Sequence, residues 1–445
     1  MDTIVRVKEV EIINLKNVKK GRFLTNTSFE QMKKADIVGF YGQNGSGKTA
    51  VVEAFSLLET LLFSQGGAEL PEISENLLYS GEKMIQLTFH FLIQNEYGEF
   101  FVQYYVGLSE GEKRLYVVEE ELSYRENEKK KRYKNLISKK KNDITIRNKK
   151  VTNMNEDERV VVLVANKMAT GNSTSFIFNE ELQDEIVVKH FGEEEWRLFE
   201  NLVHEFRRDL HVIKNTQYGL LIANIVMPFS VHFENKRGQI PYEMHDMMIM
   251  PVPLFETLEQ VVSQTNIVLE TIIPGLQVKI NRISSQKTDD GSEGIRFEFL
   301  SKRGDTELPL RSESEGILKI ISVLSTLVAV YNNPNACVVI DEMDAGIFEY
   351  LLGELLQVLS RNGKGQLFFT SHNLRILEVL PVQDLWFTTL NESERYIQLK
   401  GVKKLSNARD IYLRAVQLGG QQEPLYAETN LFDIKTSFRK AGAYR

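Results

Sequence analysis

Cysteine is nearly missing from this 445-residue chain: a single one, Cys337, stands beside 25 phenylalanines and 16 tyrosines. An intramolecular disulfide is therefore excluded, and a cysteine-built zinc site is not expected. No uninterrupted apolar stretch approaches the ~20 residues of a membrane span, so no membrane partner is expected. The opening Met1-Asp2-Thr3-Ile4-Val5-Arg6 has neither the basic start nor the apolar run of a signal peptide, and a cytoplasmic location is expected. Glycine (28) and proline (10) are too sparse for collagen-like or low-complexity chains. An excess of positive charge is missing too. Lys and Arg number 54 against 61 Asp and Glu, a net charge of -7, so any nucleic-acid surface must be local. Sustained heptads and solenoid repeats are absent. With 42% hydrophobic and 26% charged residues, the chain has the material for a globular fold of two or three domains.

Apolar patterning divides the chain. Val5 to Ile13 alternates like a half-buried strand, and Ile37 to Tyr41 is continuously apolar. Thr49 to Phe63, nearly free of helix breakers and apolar on most sides, predicts a buried helix. Ile85–Ile93 and Glu99–Val106 alternate about Asn95-Glu96-Tyr97-Gly98 and predict an antiparallel hairpin. Helical spacing follows in Glu193–Leu210 and Leu254–Ile273. Strand signals return at Leu276–Ile280 and Ile295–Leu300. After a helix over Gly316–Tyr331 come two continuously apolar strands, Cys337–Ile340 and Leu367–Phe369, with a helix over Ile347–Leu359 between them. Apolar strands separated by helices predict a parallel sheet covered on both faces.

Four motifs carry chemistry. Gly42-Gln43-Asn44-Gly45-Ser46-Gly47-Lys48-Thr49 is a complete G-x-x-x-x-G-K-T between an apolar strand and a helix, the context a phosphate-binding loop requires. Glycines let backbone N–H groups curl around phosphates, and the helix N-terminus adds its dipole. Lys48 supplies a point charge for the β- and γ-phosphates, and the Thr49 hydroxyl is a ligand for Mg²⁺. Second, Val338-Val339-Ile340 ends in Asp341-Glu342. An aspartate there can hold Mg²⁺ and the glutamate can polarise a water; alone the pair would be unremarkable, but the upstream loop gives it weight. Asp344 follows in a loop facing the same site. Third, His372 ends the next apolar strand, 30 residues beyond Glu342. Adjacent parallel strands would bring both to one C-terminal sheet edge, where ligands of α/β folds bind. Fourth, Ser312-Glu313-Ser314-Glu315-Gly316 leads into a helix, an arrangement that ordinary capping also explains.

In this order, the four motifs resemble the ABC-type ATPases of the SMC/RecF/OLD group, over about residues 1–110 and 275–390. The strand and turn around Asn14-Leu15-Lys16-Asn17-Val18 look like that group's opening. The resemblance implies an α/β P-loop NTPase of ABC/SMC-like type, a mixed sheet with flanking helices and a compact α+β insertion, using ATP and Mg²⁺. It implies Asp341 as the Walker B aspartate, Glu342 as the catalytic glutamate, Asp344 as the D-loop aspartate and His372 as the switch histidine. Ser314 and Gly316 would reach the γ-phosphate of the opposite subunit in a head-to-tail homodimer or higher oligomer. Ser314-Glu315-Gly316 departs from the Leu-Ser-Gly-Gly of transporters, and Gln86 and Gln217 both stand as candidates for the Q-loop glutamine. Some members carry a Toprim nuclease domain; only 73 residues follow His372, so none is expected.

Thr49 and Asp341 lie 292 residues apart, which predicts a split domain: 1–110 and 275–400 as the ATPase, 111–274 as the insertion, and 401–445 as a tail. Within the insertion, Lys129–Lys150 holds eleven basic residues and one acid, Asp143. Such a strip could neutralise nucleic-acid phosphates; a solvated face is the simpler reading. Two roles fit: a switch ATPase controlling a separately encoded effector, as in anti-phage defence systems with ATPases of this resemblance, or a DNA-binding clamp or repair ATPase. A transporter subunit fits poorly, given the insertion and the absent Leu-Ser-Gly-Gly.

Overall fold

The structure, a computed structural model, describes residues 3–63, 69–141, 143–214, 227–233, 236–242, 247–288, 291–400, 408–426 and 430–443. Two sheets face each other across one helix. The first is an eight-stranded antiparallel sheet formed by β1 (Ile4–Leu15), β2 (Val18–Leu24), β4 (Ile85–Asn95), β5 (Gly98–Glu110), β6 (Leu115–Glu126), β7 (Lys134–Lys140), β8 (Asp143–Ile146) and β9 (Lys149–Lys150), in the order β2-β1-β4-β5-β6-β7-β8-β9. The second contains β3 (Asp36–Tyr41), β10 (Leu210–Ile213), β17 (Cys337–Ile340), β18 (Gln366–Thr370), β19 (Leu385–Thr388) and β20 (Tyr396–Ile397), in the order β10-β17-β18-β3-β19-β20. All its pairings are parallel except β19 with β20.

The parallel strands are continuously apolar because each of their two faces has its own core. Val38, Phe40, Cys337, Val339 and Phe368 point toward the first sheet, and Ile37, Tyr41, Val338, Ile340, Leu367 and Phe369 point the other way. Helix α1 (Lys48–Leu62) fills the space between the sheets. Its Phe55 ring lies 5.6 Å from Phe89 of one sheet and 4.7 Å from Phe368 of the other, which explains its lack of a polar face. On the far side pack α2 (Val252–Ile272), α3 (Glu315–Asn332) and α4 (Glu349–Asn362), with a small antiparallel sheet of β13 (Met248–Pro251), β14 (Leu276–Lys287), β15 (Glu293–Arg303) and β16 (Thr306–Pro309). A separate pair, β11 (Met227–Phe233) and β12 (Lys236–Tyr242), completes the strands. By length and composition α3 could cross a membrane, but its apolar side chains, Ile321 and Leu324 among them, are buried in this second core.

Glu110, the last residue before the expected insertion, is also the last residue of β5, and β6 pairs with β5 along its whole length. The sheet continues without a break to β9, because Leu122, Tyr124, Leu136, Ile137, Ile144 and Ile146 extend the same core as Phe89 and Phe91. The basic run forms the outer edge of this sheet. Of the two Q-loop candidates, Gln86 lies in β4, paired with Ile13 and Gly107, and Gln217 lies outside the described residues.

Candidate nucleotide site

The register of the parallel strands assembles the site. Ile340 pairs with Phe369, Phe369 with Gly39, and Thr370 with Phe40. Chain leaving β17, β18 and β3 therefore emerges at one edge, carrying Asp341-Glu342, Ser371-His372 and Gly42 respectively. The strand bearing His372 is the one between the other two.

The loop from Gly42 to Gly47 is held from outside. A Cβ on Gly42 would collide with the Thr388 hydroxyl, which contacts Ser46 Oγ and donates to the Tyr41 carbonyl at 3.1 Å. Gly47 has φ +99°, where a side chain is strained, and a Cβ there would also come within 2.8 Å of Val18. Tyr396 donates its hydroxyl to the Gly47 carbonyl at 2.8 Å, and Asn17 donates to the Gly45 carbonyl. Arg395, buried, bonds the carbonyls of Thr389 and Asn17, both at 2.7 Å. Asn44 and Gly45 are exposed at the loop's tip, and Gln43 and Thr49 are half-buried.

Lys48 is buried and folds back onto its own loop, donating to the carbonyls of Gly42 at 2.8 Å and Gln43 at 3.0 Å. Burial lowers its pKa, while Asp341, Glu342 and Asp344 hold it up. A phosphate would give this ammonium a stronger partner than two carbonyls. One turn beyond Thr49, Glu53 pairs with Lys16 at 2.8 Å and Lys214 at 2.7 Å. Burial pulls the Glu53 carboxyl upward, but the two cations outweigh it and keep it below its ordinary range. The network ties α1 to the β1–β2 turn and to the end of β10.

Across the edge, one hydroxyl organises both acidic positions. Thr370 Oγ1 donates to Asp341 Oδ1 at 2.6 Å and accepts the Glu342 N–H at 2.7 Å. Asp341 is buried, and its N–H bonds the Ile213 carbonyl at 2.9 Å. Glu342 takes φ +45°, a region a non-glycine residue occupies only when its surroundings impose it. Lys319 of α3 donates to the Glu342 carbonyl at 2.6 Å. Asp344 Oδ2 accepts the His372 N–H at 3.1 Å. His372 is exposed at the edge, and desolvation and then Lys48 lower its pKa, favouring neutral imidazole at neutral pH.

Ser314 is exposed at the start of α3 and makes no side-chain capping bond. Gly316 packs backbone to backbone on Gly346, so the signature-like residues lie beside the turn that carries Asp344. The structure thus brings Lys48, Asp341, Glu342, Asp344 and His372 into electrostatic reach of one another, with Ser314 and Gly316 on the adjoining surface. Sequence reasoning missed Thr370, Lys319, Thr388, Tyr396 and Arg395. Lys319 was detectable as the one charge within Ile317 to Val330. Tyr396 and Arg395 gave no local signal.

Among the described residues no group of three or more His, Cys, Asp or Glu could hold a metal by itself. The donors present, a Thr49 hydroxyl and the buried Asp341 carboxylate, are hard oxygens in the small number that suits Mg²⁺ shared with phosphates and water. The donor set fits that ion.

A phosphate loop at the end of a parallel strand, an Asp-Glu pair two strands away and a histidine between them mark the α/β fold as that of a P-loop NTPase. The chain belongs to the family described as "AAA domain, putative AbiEii toxin, Type IV TA system", which it matches over residues 37–378. No curated protein matches it. Among solved structures it is similar to an Smc head bound to the C-winged helix domain of ScpA, at 12% identity and TM-score 0.44, covering 88% of this chain and 97% of that one. The SMC head domain from Thermotoga maritima matches at 10% identity and TM-score 0.37, over 89% and 99%. An Smc head with coiled coil and joint from Pyrococcus yayanosii matches at 13% and 0.42, over 93% and 100%.

Proposed function

We propose that the protein binds ATP with Mg²⁺ at this edge, hydrolyses it, and acts as a nucleotide-driven switch on a separately encoded effector in phage defence. The observation that carries the enzymatic part is the Thr370 bridge, which fixes a candidate metal-ligand carboxylate and the backbone of a candidate general base with one hydroxyl. Gly42 to Gly47 would cradle the phosphates, and Thr49 and Asp341 would hold Mg²⁺. When bound, that ion supplies charge neutralisation on the phosphate oxygens. Lys48 would exchange its carbonyl partners for the β- and γ-phosphates. Glu342 orients the attacking water and takes its proton as the oxygen–Pγ bond forms. The bond from Pγ to the bridging oxygen breaks, leaving ADP and phosphate. His372, as neutral imidazole, donates a hydrogen bond at the γ-phosphate end.

Glu342→Gln should lower turnover by roughly 10²- to 10⁴-fold while ATP stays bound. Lys48→Ala should weaken nucleotide affinity instead. Wild-type turnover in the first variant, or unchanged affinity in the second, refutes these assignments.

The switch reading, with composite sites in a homodimer or higher oligomer, is supported by the exposed Ser314 beside the Asp344 turn. The family description speaks of a type IV TA system, which accords with action through a partner. The alternative, a DNA clamp gripping through Lys129–Lys150, is weakened by internal pairing. Lys131 and Lys134 both pair with Glu126, Arg147 with Glu195 and Lys150 with Asp143, while Lys139 is buried on the Val117 carbonyl. A pull-down of Glu342→Gln with ATP separates the two. Capture of a nuclease or toxin supports the switch, and DNA binding that falls with salt supports the clamp.

A further inference from the structure

Two contacts join the signature-like helix to the turn that carries Glu342. At the start of α3, Gly316 touches the Gly346 backbone so closely that any Cβ on it would overlap the carbonyl oxygen. Three residues further on, Lys319 donates to the Glu342 carbonyl at 2.6 Å. The first contact fixes the end of the Glu342–Gly346 turn and the second its beginning. Between them, Ala345 N–H also bonds the Glu342 carbonyl at 3.1 Å, and Met343 N–H bonds the Thr370 carbonyl at 3.0 Å.

The peptide planes on both sides of Glu342 are thereby specified from outside the turn: the N–H by Thr370 Oγ1 and the carbonyl by Lys319 Nζ. A glutamate at φ +45° does not rest there unaided, since its Cβ crowds the carbonyl. Thr370 and Lys319 both hold it there, beside the Ala345 and Met343 N–H bonds. Lys319 is itself buried, a costly position for an ammonium. Burial brings its pKa down to about 8, against the pull of Asp344, Glu342 and Asp341. A methionine of similar volume would fill the same space without that cost, so packing alone does not account for a lysine here.

We propose that Lys319 is a positioning residue through which α3 sets the backbone conformation, and hence the catalytic competence, of Glu342. Displacing the N-terminal turn of α3, as a ligand or partner on exposed Ser314 would do, moves Lys319 relative to β17 and breaks or restores its bond to the Glu342 carbonyl. The helix that would read the neighbouring subunit's nucleotide thus adjusts hydrolysis in its own subunit. This rests on the ATPase reading given above.

The test is a double-mutant cycle of Lys319→Met and Glu342→Gln, read as kcat, KM and ATP affinity on the full-length protein. Lys319→Met should lower kcat roughly 10- to 100-fold, the range for a charge-assisted hydrogen bond, and leave ATP affinity within about 3-fold of wild type. In the Glu342→Gln background the same substitution should cause no further loss, because its effect passes through Glu342. Multiplicative losses, an unchanged kcat, or a change confined to KM overturn the proposal while leaving the ATPase reading intact. Absence of turnover in the wild type overturns the ATPase reading, and this proposal with it. If Lys319→Met loses ATP binding through misfolding, Lys319→Gln takes its place in the cycle under the same criteria.

Discussion

Gly316→Ala isolates the contact between α3 and the turn that carries Glu342, and its size can be worked from the geometry. The added Cβ would stand closer than 3.0 Å to the Gly346 carbonyl oxygen and 3.3 Å from its carbon. Both partners are backbone, so no side-chain rotation relieves the overlap, and one element must move by about an ångström. Overpacking of this kind costs about 1–3 kcal/mol, equivalent to a ~5- to 150-fold shift in the equilibrium between closed and displaced turn. The path of least resistance is outward, because Ala345, Gly346 and Phe348 are exposed whereas α3 is anchored in the core. Global unfolding should therefore change less than local order. The assay is amide hydrogen exchange at Met343 and Ala345, whose N–H groups bond the Thr370 and Glu342 carbonyls, combined with ATP turnover. Both amides should exchange faster, and turnover should fall by a comparable factor. Gly346→Ala is the control. Its Cβ would meet Gly316 Cα at 3.5 Å and Gly316 N at 3.8 Å, both ordinary van der Waals contacts, so it carries the cost of φ +77°, about 1–2 kcal/mol. Wild-type exchange and turnover in Gly316→Ala would refute the coupling of helix and turn.

Thr370→Val removes the hydroxyl that joins Asp341 to Glu342 while keeping its shape. Turnover measured with saturating Mg²⁺ should fall roughly 10- to 100-fold, and ATP affinity without Mg²⁺ should stay unchanged. Asp384 should give the fold a pH dependence. Burial, and then repulsion from Asp36, raise its carboxyl to about 7, against a bond from Asn26. A folded pKa above the unfolded value means that its contribution is complete below about pH 4 and lost as the pH rises through 7. Asp384→Asn should flatten that slope and stabilise the protein at pH 8 by about 2–4 kcal/mol, read from denaturant midpoints at pH 5 and pH 8. Parallel pH curves for variant and wild type would refute the shift.

Which parts were legible in the sequence follows from the range of the interactions involved. Ile37–Tyr41, Cys337–Ile340 and Leu367–Phe369 showed themselves as buried parallel strands because two cores demand apolar side chains at odd and even positions alike. Once those strands were parallel, the placement of Gly42, Asp341 and His372 at one edge required only that the strands be neighbours. The eight-stranded sheet was less visible beyond Glu110. Its strands are joined by pairings that local alternation suggests but cannot assign, and the acidic-then-basic change of composition resembles a boundary. In the structure that change is a pairing. Glu119 lies opposite Lys140 and Glu120 opposite Lys139 in the register of adjacent strands, and Lys131, Lys134, Arg147 and Lys150 form ion pairs with Glu126, Glu195 and Asp143, so part of the charge that could have met nucleic acid meets the chain itself.

The polar residues that complete the site were the least legible. Lys319 and Thr370 each interrupt an apolar run, and a buried polar group must find a partner. The sequence declares that obligation without naming who meets it. For Thr370 the partners are Asp341 and Glu342, 29 and 28 residues away, and Lys319 reaches the Glu342 carbonyl, 23 residues away. All three bonds converge on the same strand end. A polar residue inside an apolar element, next in space to a motif already recognised, is thus where the supporting half of such a site resides. The motif supplies the groups that would touch phosphate and water, and these interruptions supply the geometry that holds Glu342 in a conformation it would not otherwise keep.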